Sequence, residues 1–167
     1  MFRIGVLSDT HGFLDPGIAG YFGECDEIWH AGDIGDYELI VKLRRTAPVV
    51  AVYGNIDGNS IRSRFPGHQR QVREGLDIWM THIGGYPGNY DPRVKPDIYA
   101  NPPGLFISGH SQILKVMPDK QKKFLHINPG AAGRAGLHQV RTLVRFEIDK
   151  GRIGNLDVIE LGSRSRS

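Results

Sequence analysis

The chain has 167 residues, of which 40% are hydrophobic and 23% charged. These proportions are typical of a globular protein and exclude a disordered chain or a long coiled coil. A chain of this length can bury a core without disulfides, so we expect one domain over residues 1–161 and a flexible Ser/Arg tail over residues 162–167. The net charge is only +3, and the basic residues are scattered among acidic ones, which argues against nucleic acid as a partner.

The cysteine content and the length of the apolar segments indicate where in the cell the protein is expected. Cys25 is the only cysteine, which excludes an internal disulfide and fits a reducing environment. No apolar run approaches the roughly 20 residues that span a membrane, and residues 1–7 are too short for the core of a signal peptide. We therefore expect a cytoplasmic protein with no membrane partner, and the sequence leaves the oligomeric state open.

In the first half of the chain, short apolar strands alternate with helices. Strands are predicted over residues 2–8, 27–31 and 49–53, and helices over residues 15–22 and 37–45. The second of these helices has Asp36 as its N-cap, and Leu39, Ile40 and Leu43 share one face. Alternation of this kind is typical of a parallel sheet with crossover helices.

After Gln69 the pattern changes to strands with little helix between them. Residues 86–103 are rich in Gly, Pro and Asn, which predicts a long loop carrying one irregular helix around residues 93–99. Residues 149–152 predict the hairpin turn between the last two strands. The strands predicted in this half cover residues 76–81, 105–108, 113–117, 124–128, 140–148 and 153–161.

Polar side chains gather where the apolar strands end. In open α/β sheets, ligands bind beyond the carboxyl ends of the strands, so these side chains are predicted to converge on one crevice. The mixture of carboxylate, imidazole and amide groups, with no thiolate, suits Mn, Fe, Zn, Ni or Mg better than a sulfur-rich structural zinc. The strand-end residues, in chain order, are Asp9, His11, Asp33, Asn55, His82 and His110.

Several short motifs together resemble the calcineurin-like metallophosphoesterases, especially their small single-domain bacterial phosphodiesterases. The resemblance implies an α/β fold of two facing β-sheets flanked by helices in four layers, with a dinuclear metal site at the strand ends. The motifs are Ser8-Asp9-Thr10-His11-Gly12, His30-Ala31-Gly32-Asp33, Gly54-Asn55-Ile56-Asp57, Thr81-His82, Gly109-His110-Ser111-Gln112 and Asn128-Pro129-Gly130.

The same resemblance implies a function and a role for each site residue. Asp9 and His11 would hold the first ion, Asp33 would bridge both ions, and the second ion would be held by Asn55, His82 and His110. Asp33, Asn55 and His82 are expected to take part in catalysis. The implied activity is a phosphodiesterase in which a metal-held hydroxide attacks the phosphorus of a small or nucleotide-like ester. We expect manganese as the metal, with Mg, Ni, Zn and Fe as alternatives.

Two residues depart from the family pattern. Gln112 stands where the family has the second histidine of Gly-His-Thr-His, so its amide oxygen would be a weaker ligand of a loosely held first ion. Ile56 follows Asn55, where many members carry a histidine that protonates the leaving oxygen, and losing that acid costs about 10²- to 10⁴-fold on poor leaving groups. Asp57 is interpreted either as a residue that orients Asn55 or His82, or as a surface turn residue.

Other residues and other functions remain open at this point. His30 is interpreted as a buried, hydrogen-bonded histidine, His126 as a satisfied residue of a sheet, and Arg134 and Arg141 as surface charges. One alternative function is a weakly active or non-catalytic protein-binding scaffold of the same fold, like the small subunit of retromer. Another is a regulatory nucleotide binder that holds phosphate without hydrolysing it.

Overall fold

The computed structural model describes residues 1–165, and the strands in this range form two five-stranded sheets and one small hairpin. Arg166 and Ser167, the last residues of the predicted tail, lie outside the described residues. The first sheet contains β1 (Phe2–Leu7), β2 (Glu27–His30), β3 (Val49–Ala51), β11 (Val140–Asp149) and β12 (Arg152–Ser163). The second sheet contains β4 (His68–Arg73), β5 (Leu76–Thr81), β8 (Leu105–Ile107), β9 (Lys115–Asp119) and β10 (Phe124–Asn128).

Both sheets are mixed; the parallel strands lie at the centre of the second sheet and extend to one edge, β3, in the first. The strand orders are β12-β11-β1-β2-β3 and β4-β5-β8-β10-β9, with β1, β2 and β3 parallel in one sheet and β5, β8 and β10 parallel in the other. The remaining elements are β6 (Gly85–Tyr86), β7 (Asn89–Tyr90), α1 (Ile18–Tyr21), α2 (Tyr37–Arg44), α3 (Asn59–Arg62) and α4 (Lys95–Ala100). None of the helices described between residues 1 and 165 has the length and apolar character needed to cross a bilayer.

Three apolar layers hold these elements together. The central layer lies between the sheets and includes Val6 and Ile78, which are fully buried. A second layer joins the first sheet to α1, α2 and α3, and a third joins the outer face of the second sheet to α4, where Phe106 packs with Ile98. The expected α/β fold, with two facing sheets flanked by helices, is therefore confirmed.

The sequence explains α2 directly. Asp36 is extended and its side chain accepts a hydrogen bond from the Glu38 backbone N–H at 3.0 Å, so it caps the helix as predicted. Leu39, Ile40 and Leu43 form the buried face. This helix follows β2 and leads into β3, and it sets the crossover that makes those two strands parallel.

Some strands differ from the sequence prediction. Strand β4 was not predicted, because its sequence His-Gln-Arg-Gln-Val-Arg has no apolar face; it pairs antiparallel with β5 at the edge of the second sheet. The strand predicted over residues 113–117 is β9, which begins at Lys115. β12 continues through Ser163, so two residues assigned to the tail are part of a strand.

The interpretation of Arg141 as a surface charge is wrong. Its side chain is only 1% exposed, and its Nη1 donates to Asp15 Oδ2 at 2.6 Å. The other guanidinium nitrogens donate to the carbonyl oxygens of Leu161 and Ser163. Arg141 thus ties the segment before α1 to the first sheet. Arg134 is exposed as predicted, and its guanidinium stacks over Phe13.

We predict that Gly5→Ala destabilises the protein, because a Cβ on Gly5 would lie 2.6 Å from ring atoms of the buried Phe22. Overpacking of this kind costs about 1–3 kcal/mol. Gly20→Ala in α1 is the matched control, since a Cβ there meets no atom within 4 Å, and alanine favours the helix by up to about 1 kcal/mol. Urea unfolding of both variants checks this, and equal stabilities would contradict it.

Candidate metal centre

The predicted strand-end residues converge at one edge of the two sheets. Asp9, Asp33 and Asn55 follow the parallel strands of the first sheet, and His82 and His110 follow parallel strands of the second. The two sheets are joined at this edge, because His82 Nδ1 lies 2.7 Å from the Ala31 carbonyl oxygen. The site is therefore built from both sheets.

Asp9, His11 and Asp33 form the first group of possible ligands, and one ligand atom from each lies within 4.8 Å of the others. His11 Nε2 is 3.9 Å from Asp9 Oδ1 and 3.5 Å from Asp33 Oδ2. Asp9 Oδ1 and His11 Nε2 are both buried, and neither has a hydrogen-bond partner among residues 1–165. Buried polar atoms rarely lack a partner, so two facing each other indicate a place for a cation.

Asp33, His82 and His110 form the second group, with the same limit of 4.8 Å between ligand atoms. Asp33 Oδ2 lies 3.3 Å from His82 Nε2. The amide oxygen of Asn55 lies between the two imidazoles, 3.0 Å from His82 Nε2 and 3.0 Å from His110 Nδ1. Asp33 belongs to both groups.

The hydrogen bonds of His82 test whether a cation fits this second group. A carbonyl oxygen can only accept, so His82 Nδ1 must donate its proton to Ala31. A neutral His82 then turns the bare lone pair of Nε2 towards Asn55 Oδ1 and Asp33 Oδ2, which are lone-pair donors as well. These lone pairs repel one another unless a divalent ion lies between them and is coordinated by all three. A metal-binding histidine usually donates the proton of its other ring nitrogen to an acceptor such as a backbone carbonyl, as His82 does. The residues present therefore fit a metal.

The carboxylates also shift the pKa of the two buried histidines. The pKa of His11 is raised, chiefly by the neighbouring Asp9 carboxylate and further by the charge of Asp33. Burial lowers the pKa of His82, but the contact with the Asp33 carboxylate and the charges of Asp9 and Asp33 outweigh it and raise the pKa. Burial raises the pKa of Asp33, yet its contacts with His82 lower it overall. Cation binding here competes with protons.

Two hydrogen bonds to Oδ2 of Asp9 fix the orientation of its carboxylate, and so the direction of the unpaired Oδ1. Asp9 Oδ2 accepts from the Ser8 hydroxyl at 2.6 Å and from the His110 backbone N–H at 3.1 Å. These bonds leave Oδ1 facing His11. No role was predicted for Ser8, although a hydroxyl next to a strand-terminal Asp is a sequence signal for such a contact.

Asp57 is buried and supports the backbone of the site. It is 4% exposed, and its carboxylate accepts from the backbone N–H groups of Ile34, Gly35 and Gly54 at 3.1, 2.9 and 2.8 Å. These groups belong to the loops that carry Asp33 and Asn55. The interpretation of Asp57 as a surface turn residue is therefore wrong, and the residue orients main chain rather than the side chains of Asn55 or His82.

Two glycines allow the loops to approach the ligands. A Cβ on Gly54 would lie 2.1 Å from Asp33 Oδ1, and one on Gly109 would lie 2.2 Å from Ser8 Oγ. Neither position has room for a side chain. The glycines that precede Asn55 and His110 in the sequence are thus required by contact distance.

Gln112 and Ile56, the two departures from the family pattern, lie at the edge of the site. Gln112 Oε1 accepts from the Leu137 backbone N–H at 3.0 Å, and Gln112 Nε2 lies 3.5 Å from the Ala135 carbonyl oxygen. Its role as a metal ligand stays a prediction. The Ile56 side chain is 49% exposed, while its backbone N–H donates to Asp33 Oδ1 at 3.1 Å.

His30 lies behind the ligands and is buried and hydrogen-bonded, as predicted. His30 Nδ1 accepts from the Gly32 backbone N–H at 3.1 Å, and Nε2 lies 2.9 Å from Thr10 Oγ1. The Thr10 hydroxyl in turn donates to the Ile34 carbonyl oxygen at 2.9 Å. Burial lowers the pKa of His30 to about 4, so this chain of bonds holds a neutral imidazole between the first two strand-end loops.

Two cavities flank the second ligand group. One, of about 290 Å³, is lined by Asn55, His82 and Arg62 among others. The other, of about 440 Å³, is lined by His110 among others. Ile83 and Arg93 line both cavities and form the ridge between them. A ligand held at the metal groups can therefore extend in two directions.

Comparisons with known proteins agree with this geometry. A family profile described as the calcineurin-like phosphoesterase superfamily domain matches residues 2–151. A probable metallophosphoesterase of Methanocaldococcus jannaschii is 32% identical over 138 residues, which are 77% of this chain and 67% of that protein. Among solved structures, Vps29 of Chaetomium thermophilum has a TM-score of 0.74 at 17% identity, covering 96% of this chain and 97% of that one. A novel archaeal phosphodiesterase has a TM-score of 0.72 at 23% identity, covering 96% and 100%. At these identities, the solved structures show the fold alone.

We predict that Asp57→Asn lowers both stability and metal affinity. An amide has one accepting oxygen, so at least one of the three backbone N–H groups now bonded to Asp57 would face an NH₂ group. The loss of hydrogen bonds to a charged group costs about 1.5–3 kcal/mol, and a displaced ligand support costs about 10- to 100-fold in metal affinity. Urea unfolding with a chelator and calorimetric titration with Mn²⁺ measure the two effects.

Asp36→Asn is the control for that variant. Asp36 is exposed and accepts a single backbone N–H at a helix N-cap, where Asn serves as well as Asp. Unfolding and metal binding should both stay at the wild-type values. If Asp57→Asn behaved like Asp36→Asn, Asp57 would not support the site.

Proposed function

The chain belongs to the calcineurin-like phosphoesterase superfamily, and on that premise we propose that it is a metal-dependent phosphodiesterase with a dinuclear site. The proposed ligands are Asp9, His11, Asp33, Asn55, His82 and His110. One observation carries the proposal: Asp33 Oδ2 lies 3.5 Å from His11 Nε2 and 3.3 Å from His82 Nε2. A single carboxylate oxygen thus reaches both ligand groups, which supports a pair of ions rather than two independent sites.

The reaction is the addition of water across a phosphoester bond, giving an alcohol and a phosphate monoester. Divalent ions bound here would lower the pKa of a coordinated water towards about 7 and offset the charge that develops on the phosphoryl oxygens. The residues of the chain hold that arrangement in place. Asp33 supplies negative charge between the groups, and the Ala31 carbonyl fixes the His82 ring.

Two features support a diester with a good leaving group as the substrate. A phosphodiester has two organic arms, and the cavities on either side of the second ligand group give each arm a place. Ile56 has no proton to donate to the leaving oxygen, so the reaction depends on a leaving group that is stable as an anion. A small or nucleotide-like diester meets both conditions.

The donor set supports manganese as the preferred metal. The ligand groups contain carboxylate, amide and imidazole but no thiolate, which suits Mn and also Mg, Ni, Zn or Fe. An amide oxygen from Gln112, if it ligates the first ion, would favour the harder metals further. We also propose that the protein works in the cytoplasm, because a chain with one cysteine forms no internal disulfide.

We predict that the protein hydrolyses bis(4-nitrophenyl) phosphate when Mn²⁺ is added, and that a chelator abolishes the activity. Asp33→Ala should lower kcat/KM by more than about 100-fold, since even outer supports of a metal cost about 10- to 100-fold. An alkyl phosphate monoester should be a poorer substrate than the aryl diester. Release of nitrophenolate and of inorganic phosphate measures the two rates.

Asp157→Ala is the control, because Asp157 is exposed and pairs with Arg145 on the surface. It should keep wild-type activity. A protein whose melting temperature rises with Mn²⁺, but which hydrolyses no phosphoester, would instead support the alternative of a binding scaffold. A nucleotide that raises the melting temperature further without product would support the regulatory binder.

We further predict that Gln112→His raises the affinity of the first metal site, because imidazole is a better ligand than an amide oxygen. Gln112→Ala distinguishes a role of Gln112 as a metal ligand from a role in holding the loop at Leu137. If Gln112 ligates, Ala lowers metal affinity; if it only holds the Leu137 backbone N–H, metal affinity stays unchanged and the role of Gln112 as a ligand is excluded. Calorimetric titration with Mn²⁺ resolves the two sites.

A further inference from the structure

One of the cavities beside the metal groups is lined by polar side chains that have no role in the proposed hydrolysis. The side cavity, as we name the space of about 440 Å³ next to His110, lies between the β6–β7 hairpin and the outer face of the second sheet. Residues that line it include Tyr86, Tyr90, His110, Ser111, Lys115 and His126. Because His110 is also in the second ligand group, the cavity opens directly beside the reacting centre.

His126 lines the side cavity and carries an unsatisfied nitrogen. The residue is 0% exposed and its ring packs against Phe106. His126 Nδ1 lies 3.2 Å from the Phe106 carbonyl oxygen, so Nδ1 must carry the proton. Nε2 has no hydrogen-bond partner within the part of the chain that the structure describes. The interpretation of His126 as a satisfied sheet residue is therefore only half correct.

The unsatisfied nitrogen is an acceptor. Burial, with a smaller contribution from the Lys115 charge, lowers the pKa of His126 to about 4, so the ring is neutral at pH 7 and Nε2 presents a lone pair. An acceptor left without a donor in a buried site is costly, and nearly all such groups in proteins are paired. The ring lines the side cavity but is covered in the structure, so a ligand O–H group brought there satisfies Nε2 once the ring or its cover shifts to expose that atom.

Two donors accompany this acceptor. Ser111 Oγ accepts from the Asn128 side-chain amide at 3.0 Å and from the Ile113 backbone N–H at 3.2 Å, so its own proton is free to be donated outwards. Lys115 holds its ammonium group 4.1 Å from the centre of the Tyr86 ring, at the same cavity. An acceptor with donors beside it matches hydroxyl groups, each of which both donates and accepts.

We propose that the side cavity binds a hydroxylated organic arm of the diester, such as a ribose or glycerol group, and that His126 Nε2 accepts a hydrogen bond from one of its hydroxyls. This proposal rests on the proposed phosphodiesterase function and names the class of substrate. Lys115 and Arg93 also line the cavity and would pair with an anionic group, but such a group would bring further lone pairs, and no donor, to the lone pair of His126. His126 is thus a specificity residue that contacts the substrate away from the bond that breaks.

The proposal is tested with two diesters that share one leaving group. The substrates 4-nitrophenyl glyceryl phosphate and 4-nitrophenyl propyl phosphate release the same nitrophenolate and differ only in the hydroxyls of the other arm. With Mn²⁺, kcat/KM for hydrolysis of the glyceryl ester, measured from glycerol phosphate and not from the cyclic phosphate that a neighbouring hydroxyl can form, should be about tenfold or more above that for the propyl ester, the effect of one well-made buried hydrogen bond. In His126→Phe, which keeps a ring beside Phe106 but removes the acceptor, this ratio should fall towards one.

Met117→Leu is the matched control. Met117 pairs with His126 across β9 and β10, and it is not one of the residues that line the side cavity, so the ratio should stay at its wild-type value. A ratio near one in the wild-type protein, with both esters hydrolysed, overturns the proposal and leaves the proposed function standing. A wild-type preference that His126→Phe retains overturns the role of His126.

A second measurement needs neither turnover nor a variant. Long-range ¹H–¹⁵N spectra of the wild-type imidazoles, recorded with Mg²⁺, report the protonation and hydrogen bonding of His126 Nε2. Addition of glycerol phosphate should shift this resonance, and propyl phosphate should not. If neither ester is hydrolysed, the proposed function fails, and the spectra still decide whether the side cavity binds hydroxyls. Equal responses to both phosphates, or none, overturn the proposal.

Discussion

The site depends on the fold holding several acceptor atoms close together, although their lone pairs repel one another. Asp33 Oδ2 faces the ring nitrogens of His11 and His82 at 3.5 and 3.3 Å, and the Asn55 amide oxygen faces the same nitrogen of His82 and one of His110. The backbone shares this constraint, because Asp9, His11 and Asp33 all have positive φ, which is unfavourable for residues other than glycine. Such an arrangement persists only if the surroundings fix it, and a bound cation is what makes it favourable.

Hydrogen bonds to main chain provide that fixation. The loops after β1 and β2 are joined by bonds from Asp9 N to Gly32 O and from His11 N to Asp33 O. Asp57 holds three more backbone N–H groups, and His30 spans the same loops from behind. Because the ligands come from both sheets, the apolar layer between the sheets also sets their separation. Packing and ligand geometry therefore depend on each other.

The sequence predicted those parts of the structure that follow from local pattern. Apolar strands that end in Asp, Asn or His indicated the edge where these residues meet, the resemblance of the motifs implied the two facing sheets, and the capped helix after Asp36 followed from its own residues. Strand β4 could not be predicted, because an edge strand with polar residues on both faces is stabilised by its partner β5 and not by its own pattern. Arg141 was misread for a similar reason: its burial depends on Asp15, which lies 126 positions away. The contact of Gln112 with Leu137 likewise depends on a loop that no local pattern fixes.

The histidines show how one residue type acquires opposite properties in one small protein. His11 and His82 are partly or fully buried beside carboxylates, and their pKa values are raised, with Asp9 and Asp33 as partners. His126 is buried against the ring of Phe106, no carboxylate among the described residues acts on it, and its pKa is lowered to about 4. The carboxylates beside the first two favour positive charge at the reacting centre, whether from a proton or from a metal cation. His126 stays a neutral acceptor. The charge next to each imidazole, more than its burial, therefore separates the histidines suited to a metal from the one suited to a substrate hydroxyl.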